Sequence, residues 1–393
     1  MLFTIYMVNK NINVTYLFVS ARKNRIISNK VYSKEFFYSY HFLKKYFSNI
    51  EILEFNDVKS VHKFTSSFLK FLDKSLRKVT GLPFFMSEII NNINFRKIYK
   101  SDILVATNDR IGLSVMPILV LKKLLFKKQI SCNMFVLGLF SNISNIYLIK
   151  TIQKIILGLC FRVYDNFIFI GKSEYQYALD KNKKFENKFH YIPFSVDFNF
   201  WNSSTSRKKN SDYVLFIGND GYRDFDKVIK IARNLENINF YFVTTQIKKE
   251  DELPPNVKLV EGHWNYEILS DEELKTIYND AILTIIPLID SLQPSGQSVA
   301  LQSMASGTPV MISKTSGFWD FDKFINNKNI ILLENNSVEN WCIQIKLLLK
   351  DENTLNKISK NGIDTIKNYF NLELFDRRVF NIITKSQHRN ESI

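Results

Sequence analysis

Short apolar runs alternate with stretches of helical period along almost the whole chain. Val14–Ser20, Ile50–Phe55, Ile103–Thr107, Cys132–Leu137 and Asn166–Ile170 have the length and composition of buried strands. Between them, helical patterns run near Val58–Lys78, Leu113–Phe126, Asn145–Phe161 and Ser173–Asp180. The pattern restarts in the second half, with strands expected at Tyr213–Ile217, Phe240–Thr244, Val257–Glu261, Ala281–Pro287, Pro309–Ser313 and Asn329–Leu333. Ser270-Asp271-Glu272-Glu273 is a capping box opening a helix to about Tyr278. A last amphipathic helix is expected from Asp364 to about Lys385. Strands alternating with helices imply parallel βαβ units, hence an α/β fold of doubly wound, Rossmann-like sheets.

A chain of 393 residues suits two such domains better than one core. Tyr191-Ile192-Pro193-Phe194-Ser195-Val196-Asp197 leads into the polar stretch Asn202–Asp212, the composition of a hinge. We therefore expect a first domain over 1–204, a second over 205–370, and a helix and tail over 371–393. The opening Met1–Val8 lacks a basic lead and a small-residue cleavage site, and reads as a strand and not a signal peptide.

The densest information lies in Gln293–Val310, QPSGQSVALQSMASGTPV. It reads as a strand-end loop, a helix stopped by Gly307, and a return strand. The helix start would point back at the carboxyl end of a parallel sheet, where free amides and the helix dipole favour a phosphate. Ser295, Gly296, Gln297, Ser298 and Val299 are the candidate amide donors, and Gly296 allows close backbone approach. Gln302 lies one turn past Ser298 on the same face.

These residues resemble the donor-binding signature of GT-B fold glycosyltransferases of the retaining family 4 type, in which Glu-x7-Glu opens a Glu-Ala-Met-Ala-x-Gly-x-Pro-Val run. Gln302-Ser303-Met304-Ala305-Ser306-Gly307-Thr308-Pro309-Val310 matches the second half, while Pro294 and Gln302 stand at the two acidic positions. The resemblance implies two Rossmann-like domains facing across a cleft, with a C-terminal helix crossing back to the first. It implies a nucleotide-diphosphate-sugar donor as substrate, no metal and no other cofactor. Gln302 takes the ribose-binding position. In Gly218-Asn219-Asp220-Gly221-Tyr222-Arg223, Asn219 falls on the family's diphosphate-binding Arg and Arg223 lies near its Lys. Arg223 is thus the expected catalytic residue, neutralising the leaving diphosphate, beside donor-site residues Gly218 and Asn219. His263 and Trp264 are candidates to flank the base. Asn108 and Asp109, after a first-domain strand, are candidates for acceptor contact, and equally for capping the next helix. The aromatics Phe36-Phe37-Tyr38 and Tyr40 suit an acceptor loop.

Charge adds a partner. The protein carries +15. Its first 200 residues hold 30 Lys and Arg against 13 Asp and Glu, a net of +17. Phe64, Phe68, Phe71 and Leu72 share a helical face ringed by Lys63, Lys70, Lys74, Arg77 and Lys78, and residues 119–128 repeat the theme. Basic amphipathic helices suit an anionic membrane surface. No recognition motif for nucleic acid is present. Cys132, Cys160 and Cys342 are odd in number, widely spaced and in apolar settings, as reduced core thiols would be. The expected activity is hexosyl transfer to a glycan or lipid-linked glycan in bacterial surface polysaccharide synthesis, in the cytoplasm or on the inner membrane face. Two other functions suit the same fold: an inactive nucleotide- or glycan-binding protein, and a sugar-nucleotide epimerase.

Overall fold

The computed structural model of the protein describes residues 12–28, 30–55, 63–202, 212–248, 252–266 and 268–391, with backbone alone for 63–66, 266 and 386–391. The expected strand at Met1–Val8, the side chain of Phe64 and the 204/205 boundary lie outside this description.

Among the described residues, two six-stranded parallel sheets carry the structure. The first contains β1 (Asn13–Phe18), β2 (Asn49–Glu54), β3 (Ile103–Ala106), β4 (Ser131–Val136), β5 (Asn166–Phe169) and β6 (Phe189–Tyr191), in the order β2-β1-β3-β4-β5-β6. The second contains β7 (Tyr213–Ile217), β8 (Asn239–Val243), β9 (Val257–Val260), β10 (Leu283–Ile286), β11 (Val310–Ser313) and β12 (Ile331–Leu333), in the order β12-β11-β10-β7-β8-β9. All residues of β3, β4, β5, β10 and β11 are buried, as strands covered by helices on both faces must be. That is why they read as unbroken apolar runs and not as alternating ones. Apart from Met1–Val8, which lies outside the described residues, the expected strands are present with ends shifted by a residue or two; β6, only three residues long, escaped the pattern.

The chain passes between the sheets twice, and the two passages lie side by side. Val196 N donates to Phe370 O and Leu372 N to Val196 O, both at 2.9 Å. The last helix, Leu372–Glu391, then returns to the first sheet, stacking Phe375 on Phe135 at 6.0 Å and setting Phe380 against Phe42 and Tyr46. One buried apolar cluster runs through both halves, from Val14 and Phe135 to Leu215, Ile312 and Ile383. The capping box forms as expected, with Glu273 N donating to Ser270 Oγ at 3.1 Å and Ser270 N to Glu273 Oε2 at 2.8 Å. No helix among the described residues is long and apolar enough to cross a membrane.

Candidate active site

β7 and β10 are neighbours in the sheet although far apart in sequence, so the strand order reverses between them. A crevice opens outside the carboxyl ends of strands at such a point. The loops that follow these two strands are laced together there. Asp224 N donates to Pro287 O at 3.0 Å and Ile289 N to Tyr222 O at 2.9 Å, while Arg223 and Leu288 form an antiparallel bridge.

This lacing fixes Arg223, whose side chain is only 3% exposed. It runs back across Gly218, with Nε donating to Ile217 O at 3.3 Å. A Cβ on Gly218 would stand 2.3 Å from Nε and 2.8 Å from Cγ, so glycine is what leaves the guanidinium its path. Nη1 ends 2.9 Å from Asp220 Oδ2, an ion pair without hydrogen-bond geometry, and so retains an unsatisfied donor. It also lies 3.6 Å from where a Cβ on Gly296 would stand.

Gly296 begins the helix Gln297–Ala305 with φ 79°, in the left-handed region, and no side chain caps the helix. A Cβ here would press to 2.9 Å from Ile286 Cγ2 and 3.1 Å from Ile312 Cδ1. The first-turn amides of Gln297, Ser298 and Val299 have no acceptor inside their own helix. On either side of Gly296, Ser295 Oγ and Gln297 Oε1 are buried and find no hydrogen-bond partner among the described residues. Buried polar atoms are normally satisfied, so unsatisfied ones need a reason. Ser295 can donate to an anion; Gln297 Oε1, whose Nε2 already donates to Ile170 O at 3.0 Å, can only accept, as from a hydroxyl. A positive helix start, a buried guanidinium and these two atoms make a site suited to a phosphate beside a hydroxylated group.

The same loop meets the first domain. A Cβ on Gly171 would stand 3.0 Å from Pro294 Cβ, and one on Gly138 would stand 2.7 Å from Gln293 Oε1. Gly138 and Gly171 follow β4 and β5, so the carboxyl ends of the two sheets face each other across a closed cleft.

Several expected ligands are otherwise engaged. Asn219 does not reach the helix start. Its Nδ2 donates to Gly262 O at 2.7 Å and its Oδ1 accepts from Thr245 N at 2.7 Å, pinning together the loops after β7, β8 and β9. Gln302, expected at a ribose, is 3% exposed with both ends of its amide occupied. Oε1 accepts from Tyr278 Oη at 3.1 Å and Nε2 donates to Glu35 Oε1 at 2.8 Å. Asn108 caps the helix Asp109–Leu119 by accepting from Ile111 N at 2.9 Å. Asp109, half-buried, accepts from Leu137 N at 3.0 Å, and burial raises its pKa. Both shape loop ends. Val299 packs into the apolar cluster and offers only its amide; Ser298 is half-buried beside it.

The first domain supplies residues that sequence patterning did not reveal. Trp264, a candidate to flank a base, is covered by Arg25 and Arg22, whose guanidinium carbons lie 3.9 and 4.5 Å from its ring centre, and by Phe36 at 4.8 Å. Arg25 forms a buried ion pair with Asp271 at 3.1 Å, and Ser33 N donates to the same carboxylate at 2.8 Å. Phe37, Tyr38 and Tyr40, expected in an acceptor loop, are core residues instead. Glu35, fully buried, accepts from Trp201 Nε1 at 2.7 Å as well as from Gln302, and burial pushes its carboxyl up to about 7. One signal could have marked it: Glu35 is the single acidic residue in the first 50.

Comparison with known proteins bears on these two halves unequally. Residues 197–365 match the family described as glycosyl transferases group 1. No curated protein matches the chain. Among solved structures, it is similar to a glycosyltransferase from Rickettsia africae at 13% identity and a TM-score of 0.64, over 96% of this chain and 99% of that one. HepE of Anabaena, solved with UDP, aligns at 11% identity and 0.66, over 95% and 100%. Sucrose-phosphate synthase from Thermosynechococcus elongatus aligns at 12% identity and 0.63, over 95% and 98%. The chain has the GT-B fold, and its residues 197–365 match the group 1 glycosyltransferases.

Proposed function

We propose that this protein is a retaining glycosyltransferase that moves a sugar from a nucleotide-diphosphate-sugar donor to a glycan or lipid-linked glycan, without a metal ion. The observation that carries the reading is the buried Arg223 guanidinium, with an unsatisfied donor, beside the uncapped helix start at Gly296. Together they supply the positive charge that a departing diphosphate requires. In the reaction the bond from the anomeric carbon to the diphosphate oxygen breaks, and a bond from that carbon to the acceptor oxygen forms on the same face. The acceptor proton passes to the departing diphosphate, so no protein base is needed. Ser295 and the amides of Gln297 to Val299 orient the diphosphate, Gly218 keeps Arg223 in line, and Gln297 Oε1 is available to a sugar hydroxyl. The structures of HepE with UDP and with UDP-glucose support a uridine-type donor. A thermal-shift series with UDP, GDP, ADP and CMP plus a chelator tests this, because a ligand bound only by the folded state raises Tm. One diphosphate should raise Tm by several degrees in the wild type and not in Arg223→Ala. No shift with any of them would overturn the donor-site assignment.

The first domain's surface supports work at an anionic membrane, on the lipid-linked precursor of a bacterial surface polysaccharide. Helices Lys63–Thr80 and Tyr147–Val163 touch, joined by Gln153 Nε2 donating to Thr80 O at 2.7 Å, and the second also touches the turn Val120–Leu125. These adjacent elements expose Phe71 at 67%, Tyr147 at 85% and Leu125 at 64% of their surface. Around them stand the exposed lysines Lys70, Lys74, Lys78, Lys127, Lys128, Lys150 and Lys154. Each basic residue near an anionic bilayer contributes about 1 kcal/mol. The protein should co-sediment with vesicles containing phosphatidylglycerol and not with purely zwitterionic ones. Phe71→Ser with Tyr147→Ser should weaken that binding about tenfold without altering Tm. Equal binding to both vesicle types would remove the membrane from the reading.

A further inference from the structure

The motif resembled by Gln293–Val310 carries a carboxylate where this chain has Gln302, and a carboxylate from the other domain lies against that very side chain. Glu35 Oε1 accepts from Gln302 Nε2 at 2.8 Å and from Trp201 Nε1 at 2.7 Å, while Oε2 accepts from Asp197 N at 3.3 Å. Glu35, Trp201 and Gln302 are 0%, 0% and 3% exposed, so the bonds among these three are closed to solvent. Tyr278 Oη completes the arrangement on Gln302 Oε1. A glutamate at 302 would set two carboxylates in contact in a buried site, where one of them could not ionise. Gln302 is therefore matched to Glu35: its neutral amide donates to Glu35 and accepts from Tyr278 at once, with no proton to take up.

We propose that Glu35 and Gln302 form an interdomain latch, in which Glu35 is a positioning residue that holds the helix Gln297–Ala305 in the closed arrangement. The latch belongs to a short first-domain segment that grips the second domain at another buried point, Ser33 N and Oγ donating to Asp271 Oδ2 at 2.8 and 2.9 Å. The replacement at 302 is on this account a relocation of the carboxylate to the other domain. In the closed arrangement helix Gln297–Ala305 meets its carboxylate partner across the cleft. The functional consequence, though not the latch itself, rests on the donor-site reading above.

The test compares the wild type with Gln302→Glu, Glu35→Ala and the exchange Glu35→Gln with Gln302→Glu, all on the full chain. Small-angle X-ray scattering without nucleotide reads closure, and titration with UDP reads the donor site. Restoring the motif by Gln302→Glu should enlarge the radius of gyration, lower Tm and weaken UDP binding about tenfold or more. Glu35→Ala, which leaves two buried donors, Gln302 Nε2 and Trp201 Nε1, unpaired, should open the domains in the same way. The exchange variant, which again pairs one amide with one carboxylate but turns an amide nitrogen toward Trp201 Nε1, should move the radius back toward the wild-type value. A Gln302→Glu protein as compact as the wild type, or an exchange variant that stays open, overturns the latch. Wild-type protein that is closed yet ignores every nucleotide would instead overturn the donor reading and leave the latch standing.

Discussion

Arg223→Ala is expected to lower kcat by about 10²–10³, the range seen when one preorganised donor to a developing oxyanion is removed. The expectation follows from where the guanidinium sits. It is 3% exposed, donates through Nε to Ile217 O, and keeps Nη1 unsatisfied beside Gly296. Its ionic partner Asp220 is 37% exposed, so that pair is screened by water and leaves most of the positive charge for a ligand. Removing Arg223 frees an exposed carboxylate, which costs little, and leaves a small cavity, so Tm should fall by only a few degrees. KM for the donor should rise less than kcat falls, because diphosphate charge grows as the glycosidic bond breaks. Steady-state kinetics beside a melting curve separates the two effects. A variant that loses activity only in proportion to its folded fraction would make Arg223 a structural residue.

The fold was legible because its signal is carried by the strands. A strand covered on both faces must be apolar at every position, so Cys132–Leu137 and Ala281–Pro287 could be read as buried without knowing their neighbours. The helix start at Gly296 was legible for a similar reason: Pro-Ser-Gly before an apolar helix and a glycine stop constrain the backbone locally. What sequence could not supply was the facing partner. Gln302 has the chemistry for a ribose, and nothing within residues 293–310 reveals that Glu35, 267 positions earlier, accepts from its amide. Asn219 sits where a ligand-binding residue was expected, but its carboxamide closes a gap among three loops that join only once the sheet has formed. Asn108 carried both readings in its sequence, ligand and cap, and the backbone of Ile111 takes it for the cap. Local geometry was readable, and contacts across the cleft were not.

The second large effect concerns a residue with no side chain. Gly218→Ala should reduce kcat/KM about 10²-fold, close to the loss from removing Arg223 itself, while the protein stays folded. The added methyl would fall 2.3 Å from Arg223 Nε, 2.8 Å from Cγ and 2.9 Å from Cδ. These are atoms of the middle of a buried side chain, not its free end, so the whole guanidinium must shift, and misplacement by about 1 Å can cost 10²-fold. Gly221, three residues on in the same loop, provides the internal control. A Cβ there meets nothing within 4 Å, and Gly221→Ala should retain wild-type kinetics. If Gly218→Ala acts only by displacing Arg223, it should add little to Arg223→Ala, since the arginine is already gone. The double variant should then match the single Arg223→Ala in kcat, the non-additivity expected of two residues serving one interaction. Full multiplicative losses in the double variant would mean that Gly218 acts separately, through the backbone path of its loop, and that Arg223 is not held by it.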